Sequence, residues 1–184
     1  MRTNVVDLIM SDHRQLESLF VQLQTEPEKR PLLTPVMVAL LTAHSRAEEA
    51  EVYPAAAEAG IDEDVEHSQK EHLEADQLAA AVAAADPGGV AFDGKLAELI
   101  HAVTHHIQEE ESTVLAAMRS NLDTGRLDEL GQAFLASRSE HLGEMPDDIT
   151  KAELEQQAAN ANVSGASSLS KQALADKLKA TAEE

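Results

Sequence analysis

Apolar residues return every three to four positions through most of the chain, the spacing of helices that bury one face. No stretch alternates with a period of two, so no strand is predicted. Gly and Pro divide the pattern into long segments. Helix 1 is expected from about Val5 to Gln24, ending before Glu26-Pro27. Helix 2 is expected from Thr34-Pro35, a capping residue followed by a proline. It should stop near Gly60, with Pro54 bending or ending its last turns. Helix 3 should span Asp62 to Ala85, closed by Asp86-Pro87-Gly88-Gly89. Helix 4 should run from Phe92 to Leu122, and a shorter helix 5 from Leu127 to Leu142. Long helices with short connections predict an all-α, up-down-up-down antiparallel four-helix bundle with a fifth helix. The bundle and fifth helix occupy 1–145. From Pro146 the composition shifts, and 146–184 reads as a small helix-turn-helix tail with helices near 150–161 and 170–181.

Composition agrees and narrows the chemistry. Helix-favouring Ala, Leu, Glu and Gln dominate, and the four aromatics are Phe20, Tyr53, Phe92 and Phe134. There are no cysteines, which excludes disulfides, thiolate metal sites and cysteine nucleophiles. Lys and Arg number 14 against 34 Asp and Glu, a net charge of −20. Such a field repels phosphate and argues against a nucleic-acid partner. No apolar run approaches a membrane span and the start is not a signal peptide, so no membrane role and a cytoplasmic location are expected.

The histidines carry the functional signal. Placed on a wheel at about 100° per residue, the apolar stripe of helix 4 contains Leu96, Leu99, Ile100, Val103, Ile107, Val114 and Met118. Glu110 falls at its centre and His106 at its edge, while His101 and His105 point away. A carboxylate on such a stripe is costly unless it is paired or changes its pKa. Helix 2 repeats the arrangement: Leu33, Met37, Leu40, Leu41, Ala47 and Ala55 share a stripe with His44, Glu48 and Glu51, with Glu49 outward. Aligned on their histidines, His44-Ser-Arg-Ala-Glu48 matches His106-Ile-Gln-Glu-Glu110. His13 lies inward on helix 1 and His72 on helix 3, where His67 points away. The chain therefore reads as two helical hairpins, each carrying H … H-x-x-x-E.

Residues at i and i+4 share a helix face, so each His–Glu pair can serve one ion or two adjacent ions. Two glutamates can bridge a pair of metals, with four imidazoles outside them. Nitrogen and oxygen donors suit iron or manganese, and also allow zinc or copper. Tyr53-Pro54 reads as a packing and helix-ending pair, with a role at the metal as the alternative.

The pattern Asp12-His13, His44-x-x-x-Glu48-Glu49 … Val52-Tyr53-Pro54, Glu71-His72 and His106-x-x-x-Glu110-Glu111 resembles the hemerythrin-like HHE cation-binding domain, over about residues 1–122. The resemblance implies a four-helix bundle around an oxo- or hydroxo-bridged centre of two iron ions. It implies His13, His44, Glu48, His72, His106 and Glu110 as ligands. Two features depart from oxygen-carrying relatives. Helix 3 lacks an H-x-x-x-H pair, since Ser68 and Asp76 flank His72 at four residues. The last helix of those relatives spaces His and carboxylate by five, which makes His105 a rival to His106; the wheel and the repeat favour His106. Glu51 stands where relatives carry an apolar residue, as an extra ligand, a proton relay or a charge at the bundle mouth. The tail resembles the helix-turn-helix unit of terminator Rho and SAP-like modules, but 4 Lys face 7 Asp and Glu in it. A protein-docking or structural role is expected there.

The functional expectation is a di-iron protein that binds or senses dioxygen, peroxide or nitric oxide. Peroxide disproportionation by a catalase-like reaction and iron handling without turnover remain open alternatives, as does whether the chain is an enzyme.

Overall fold

A computed structural model describes residues 3–182. Helix α1 covers Val5–Thr25 and is capped by the Asn4 side chain, which accepts from the Val6 N–H. Helix α2 covers Arg30–Ala47 and continues through a π-helical turn, Glu48–Val52, into α3, Tyr53–Glu58. Helix α4 spans Asp62–Ala83. Helix α5, Val90–Ser112, is followed after a break at Thr113 by α6, Val114–Asn121. Helix α7 covers Thr124–His141, α8 Lys151–Asn160 and α9 Lys171–Ala182. No strand occurs among the described residues, and none of their helices is long and apolar enough to cross a membrane. The four columns α1, α2–α3, α4 and α5–α6 form the up-down-up-down bundle, and α7 lies against α1 and α2.

Three boundaries differ from the sequence expectation. Helix α2 begins at Arg30, not at Thr34, because Pro31 occupies the first turn, where no proline N–H is missed. Pro35 then sits inside the helix. The column ending near Gly60 is not one α-helix. Pro54 has no N–H to offer the Ala50 carbonyl, and the turn before it widens, with the Tyr53 N–H donating to the Glu48 carbonyl five residues back. The 92–122 column breaks at Thr113 (φ −111, ψ −84). There the Ser112 and Thr113 hydroxyls both bond the Glu109 carbonyl, competing with the backbone ladder.

The buried core is split by a polar layer. One apolar half contains Val5, Ile9, Val52, Val114, Met118 and Phe134. The other contains Leu16, Phe20, Met37, Leu41, Leu99 and Val103. His13, His44, Glu48, His72, His106 and Glu110 lie between them and are buried. The entry to α1 is fixed against α7 at Gly131, where a Cβ would stand 1.6 Å from the Thr3 carbonyl oxygen. Helices α8 and α9 cover α4: Leu73 packs with Ile149, Leu154, Ala158, Leu174 and Leu178.

Candidate metal centre

Each inward histidine comes from a different column and presents one ring nitrogen to the centre. His44 Nε2 lies 3.2 Å and His72 Nε2 3.4 Å from the same oxygen, Glu48 Oε2. His13 Nε2 lies 3.4 Å and His106 Nε2 4.0 Å from Glu110 Oε2. Each glutamate oxygen thus stands between two histidines, one from each hairpin. Two sets of three donors can each hold an ion: His13, His44 and Glu48, and Glu48, His72 and His106. Glu48 belongs to both. The structure therefore brings together all six residues singled out in the sequence. His105 is 55% exposed at its side chain against 6% for His106, and lies on the outer face of α5.

The opposite nitrogens are held by a ring of carboxylates. His13 Nδ1 donates to Glu111 (2.9 Å), His44 Nδ1 to Asp12 (3.4 Å), His72 Nδ1 to Glu49 (3.3 Å) and His106 Nδ1 to Glu71 (2.9 Å). Such a bond fixes the ring's orientation and tautomer and leaves Nε2 free as a donor to metal. The ring obeys the internal repeat. Asp12 and Glu71 precede an inward histidine by one residue and hold the histidine of the next helix. Glu49 and Glu111 follow an inward glutamate by one residue and hold His72 and His13.

These partners are what the wheel misses. Glu49 is not outward but buried at 2% exposure. Arg46 Nη1 (3.1 Å), Gln69 (2.9 Å) and Gln157 of α8 (3.1 Å) all donate to its carboxylate. Burial raises a carboxyl's pKa, but Arg46 and His72 outweigh it and hold Glu49 down at about 2. On the other side, Arg138 of α7 pairs with Asp12 at 2.7 Å. The adjacency of Asp12, Glu49, Glu71 and Glu111 to inward residues is the signal that could have found them.

The π-turn changes which residues face the cluster. One extra residue per turn rotates everything beyond it by about 100°. Glu51, placed on the stripe by an α-helical wheel, becomes half-buried and bonds to none of the cluster residues. Tyr53, opposite the stripe on that wheel, swings in. It is fully buried, with its hydroxyl 3.0 Å from His72 Nε2. Glu51→Leu should therefore keep both the metal content and the reaction rate with peroxide. Tyr53→Phe should keep the metal content and change that rate; metal analysis and stopped-flow absorbance on both variants check the pair.

The donor set fits a doubly charged pair of cations. Four glutamate oxygens, on Glu48 and Glu110, and His13 Nε2 are buried without a hydrogen-bond partner. Burial and the Glu48 charge push the Glu110 carboxyl up to about 8. Burial opposes charge on His44 and His72, yet neighbouring carboxylates lift them to about 9 and 10. Protons hold positions that cations would fill.

The hemerythrin HHE cation-binding domain profile matches residues 4–118, and the chain belongs to that family. A DNA nickase of Nostoc sp. (strain PCC 7120) is 30% identical over 138 residues. The match covers 74% of this chain and 39% of that protein, so the chain spans well under half the relative's length. No solved structure matches significantly.

Proposed function

We propose that the chain is a non-haem di-iron protein of the cytoplasm that binds or reacts with dioxygen, peroxide or nitric oxide. The observation that carries this reading is Glu48, one buried carboxylate shared by two three-donor sets. His13, His44, Glu48, His72, His106 and Glu110 would hold two iron ions. Nitrogen and oxygen donors suit iron, and six protein donors leave positions on two ions for a small ligand. A bound iron pair supplies one- and two-electron chemistry on such ligands.

The chain's own residues shape access to that centre. A gap of about 10 Å³, room for the centre of one water-sized molecule, lies beside the four histidines and is closed by Leu16, Leu41, Val103 and Ile107. A gap of that size matches a ligand no larger than a few atoms and excludes larger substrates. The Tyr53 hydroxyl, 3.0 Å from His72 Nε2 and kept protonated by burial and the nearby carboxylates, holds a proton at the edge of the histidine cluster. The carboxylate ring keeps the four imidazoles oriented. The nickase activity of the cyanobacterial relative is not carried over, because the chain spans 39% of that protein and its net charge of −20 repels phosphate.

Metal analysis of protein purified from iron-replete cells tests the reading. Two irons per chain are expected, retained in His105→Ala and reduced by at least one in His106→Ala. Retention in His106→Ala with loss in His105→Ala would refute the ligand assignment on α5. An absorbance spectrum that reverses under argon would assign binding. Gas evolution on adding peroxide, lost in His106→Ala, would assign the enzymatic reaction.

A further inference from the structure

Two more H-x-x-x-E pairs lie on the outside of the bundle, His67–Glu71 on α4 and His105–Glu109 on α5. The inner centre uses neither histidine. Both are more than half exposed, and the two pairs face each other across the α4–α5 contact.

Their donor atoms converge. His67 Nε2 lies 2.8 Å from Glu109 Oε2 and 3.7 Å from Glu71 Oε1. His105 Nε2 lies 3.6 Å from Glu71 Oε1 and 3.5 Å from Glu109 Oε1. His67, Glu71 and Glu109 can place one donor each within 4.8 Å of one another. Donors around a four-coordinate ion with bonds of about 2.0–2.2 Å stand roughly 3.3–3.6 Å apart, so three of the four His–Glu spacings are close to that range, the His67–Glu109 pair must lengthen, and His105, outside the set of three, must turn in to join it. Glu71 is divided between the two clusters: its Oε2 accepts from His106 Nδ1, and its Oε1 faces His67 and His105.

We propose that His67, His105, Glu71 and Glu109 form a second, surface site for a divalent first-row transition metal, separate from the inner centre. Two imidazoles with two carboxylates favour Fe²⁺, Mn²⁺, Ni²⁺ or Zn²⁺ over Mg²⁺ and Ca²⁺, which take oxygen donors. The net charge of −20 raises the local concentration of any cation. An open hollow of about 320 Å³ beside the site, lined in part by Glu71, His101 and His105, leaves room for a hydrated ion to approach. The assignment does not depend on the identity of the inner metal.

Zinc is the probe. The full-length protein, as purified with its own metal, is titrated with Zn²⁺ by equilibrium dialysis, and bound zinc and resident metal are both counted. Wild type is expected to take up one Zn²⁺ per chain more than His67→Ala/His105→Ala, with the resident metal unchanged in both. Glu109→Gln is expected to weaken that zinc at least about tenfold. Zinc should shift the imidazole NMR signals of His67 and His105 in wild type. Both histidines are exposed, so the double variant keeps its fold; its circular dichroism and resident metal content check this. Equal zinc uptake by wild type and the double variant, or zinc that leaves both imidazole signals unmoved, would overturn the site. A protein purified without iron but showing the zinc difference would refute the inner reading and leave this one standing.

Discussion

Glu48→Gln should release both metal ions, whereas His13→Ala should release one. The difference follows from membership. His13 belongs to one of the three-donor sets, while Glu48 belongs to both. Replacing the carboxylate by an amide keeps the size of the side chain but removes the charge that each cation needs. Changes in groups behind a ligand cost about 10–100-fold in metal affinity. Loss of a shared charged ligand should exceed that for both ions. The same logic separates Glu48 from Asp12, which reaches the cluster only through His44 Nδ1 and is otherwise held by Arg138 and Gln15. Asp12→Ala should weaken metal binding within about that 10–100-fold range without abolishing it. Elemental analysis of the three variants, purified side by side, reads the result. Two irons in Glu48→Gln would remove the bridging role from this residue.

The inward histidines and glutamates were legible because their helices are regular where they matter. From Leu40 to Ala47 and from Leu96 to Glu110 the chain stays α-helical, so a wheel built on 3.6 residues per turn places His44, Glu48 at the first position of the π-turn, His106 and Glu110 on the buried face. His13 and His72 fall on the apolar stripes of their own helices in the same way, and the internal repeat agrees with both. Beyond Glu48 the wheel loses register, because nothing in a count of 100° steps anticipates a π-turn. Tyr53 and Glu51 exchange places for that reason alone. Pro54 is visible in the sequence and predicts a bend or an end there, but not that the disturbance takes the form of a change of pitch. Glu49 was misplaced for a different reason. It lies off the stripe of its own helix, and other segments bury it: Gln157 and Asn160, more than a hundred residues away in sequence, donate to its carboxylate and its backbone carbonyl. A single helix's wheel describes one helix and knows nothing of what covers its far side. The segment from Pro146, distinctive in sequence by composition, supplies that cover. The orienting carboxylates form a pattern only after the four helices are assembled, since each holds a histidine on a neighbouring helix.

Stripping the metal should lower the melting temperature by roughly 15–30 °C near pH 8, and the difference should shrink as the pH falls. The first part is linkage: an ion present at about a thousand times its Kd adds about 4 kcal/mol to the native state, and two ions add about twice that. For a chain of 184 residues, about 2–4 °C of melting temperature accompanies each kcal/mol. The second part follows from the protons that the metal-free cluster holds. His44 at about 9 and His72 at about 10 are charged in that state at neutral pH, and the Glu110 carboxyl at about 8 is mostly protonated. Iron needs neutral imidazoles and an ionised carboxylate, so binding must expel those protons. All three folded-state values are raised, so acid favours the metal-free form. Between pH 8 and pH 6 the apparent metal affinity should fall by at least about tenfold per unit, one factor of ten for each proton released. Melting of holo and metal-free protein across that range, together with proton release measured in weakly buffered iron titrations, checks both parts. A melting gap that is absent at pH 8, or that widens toward pH 6, would mean that the buried donors do not share their protons' place with a cation.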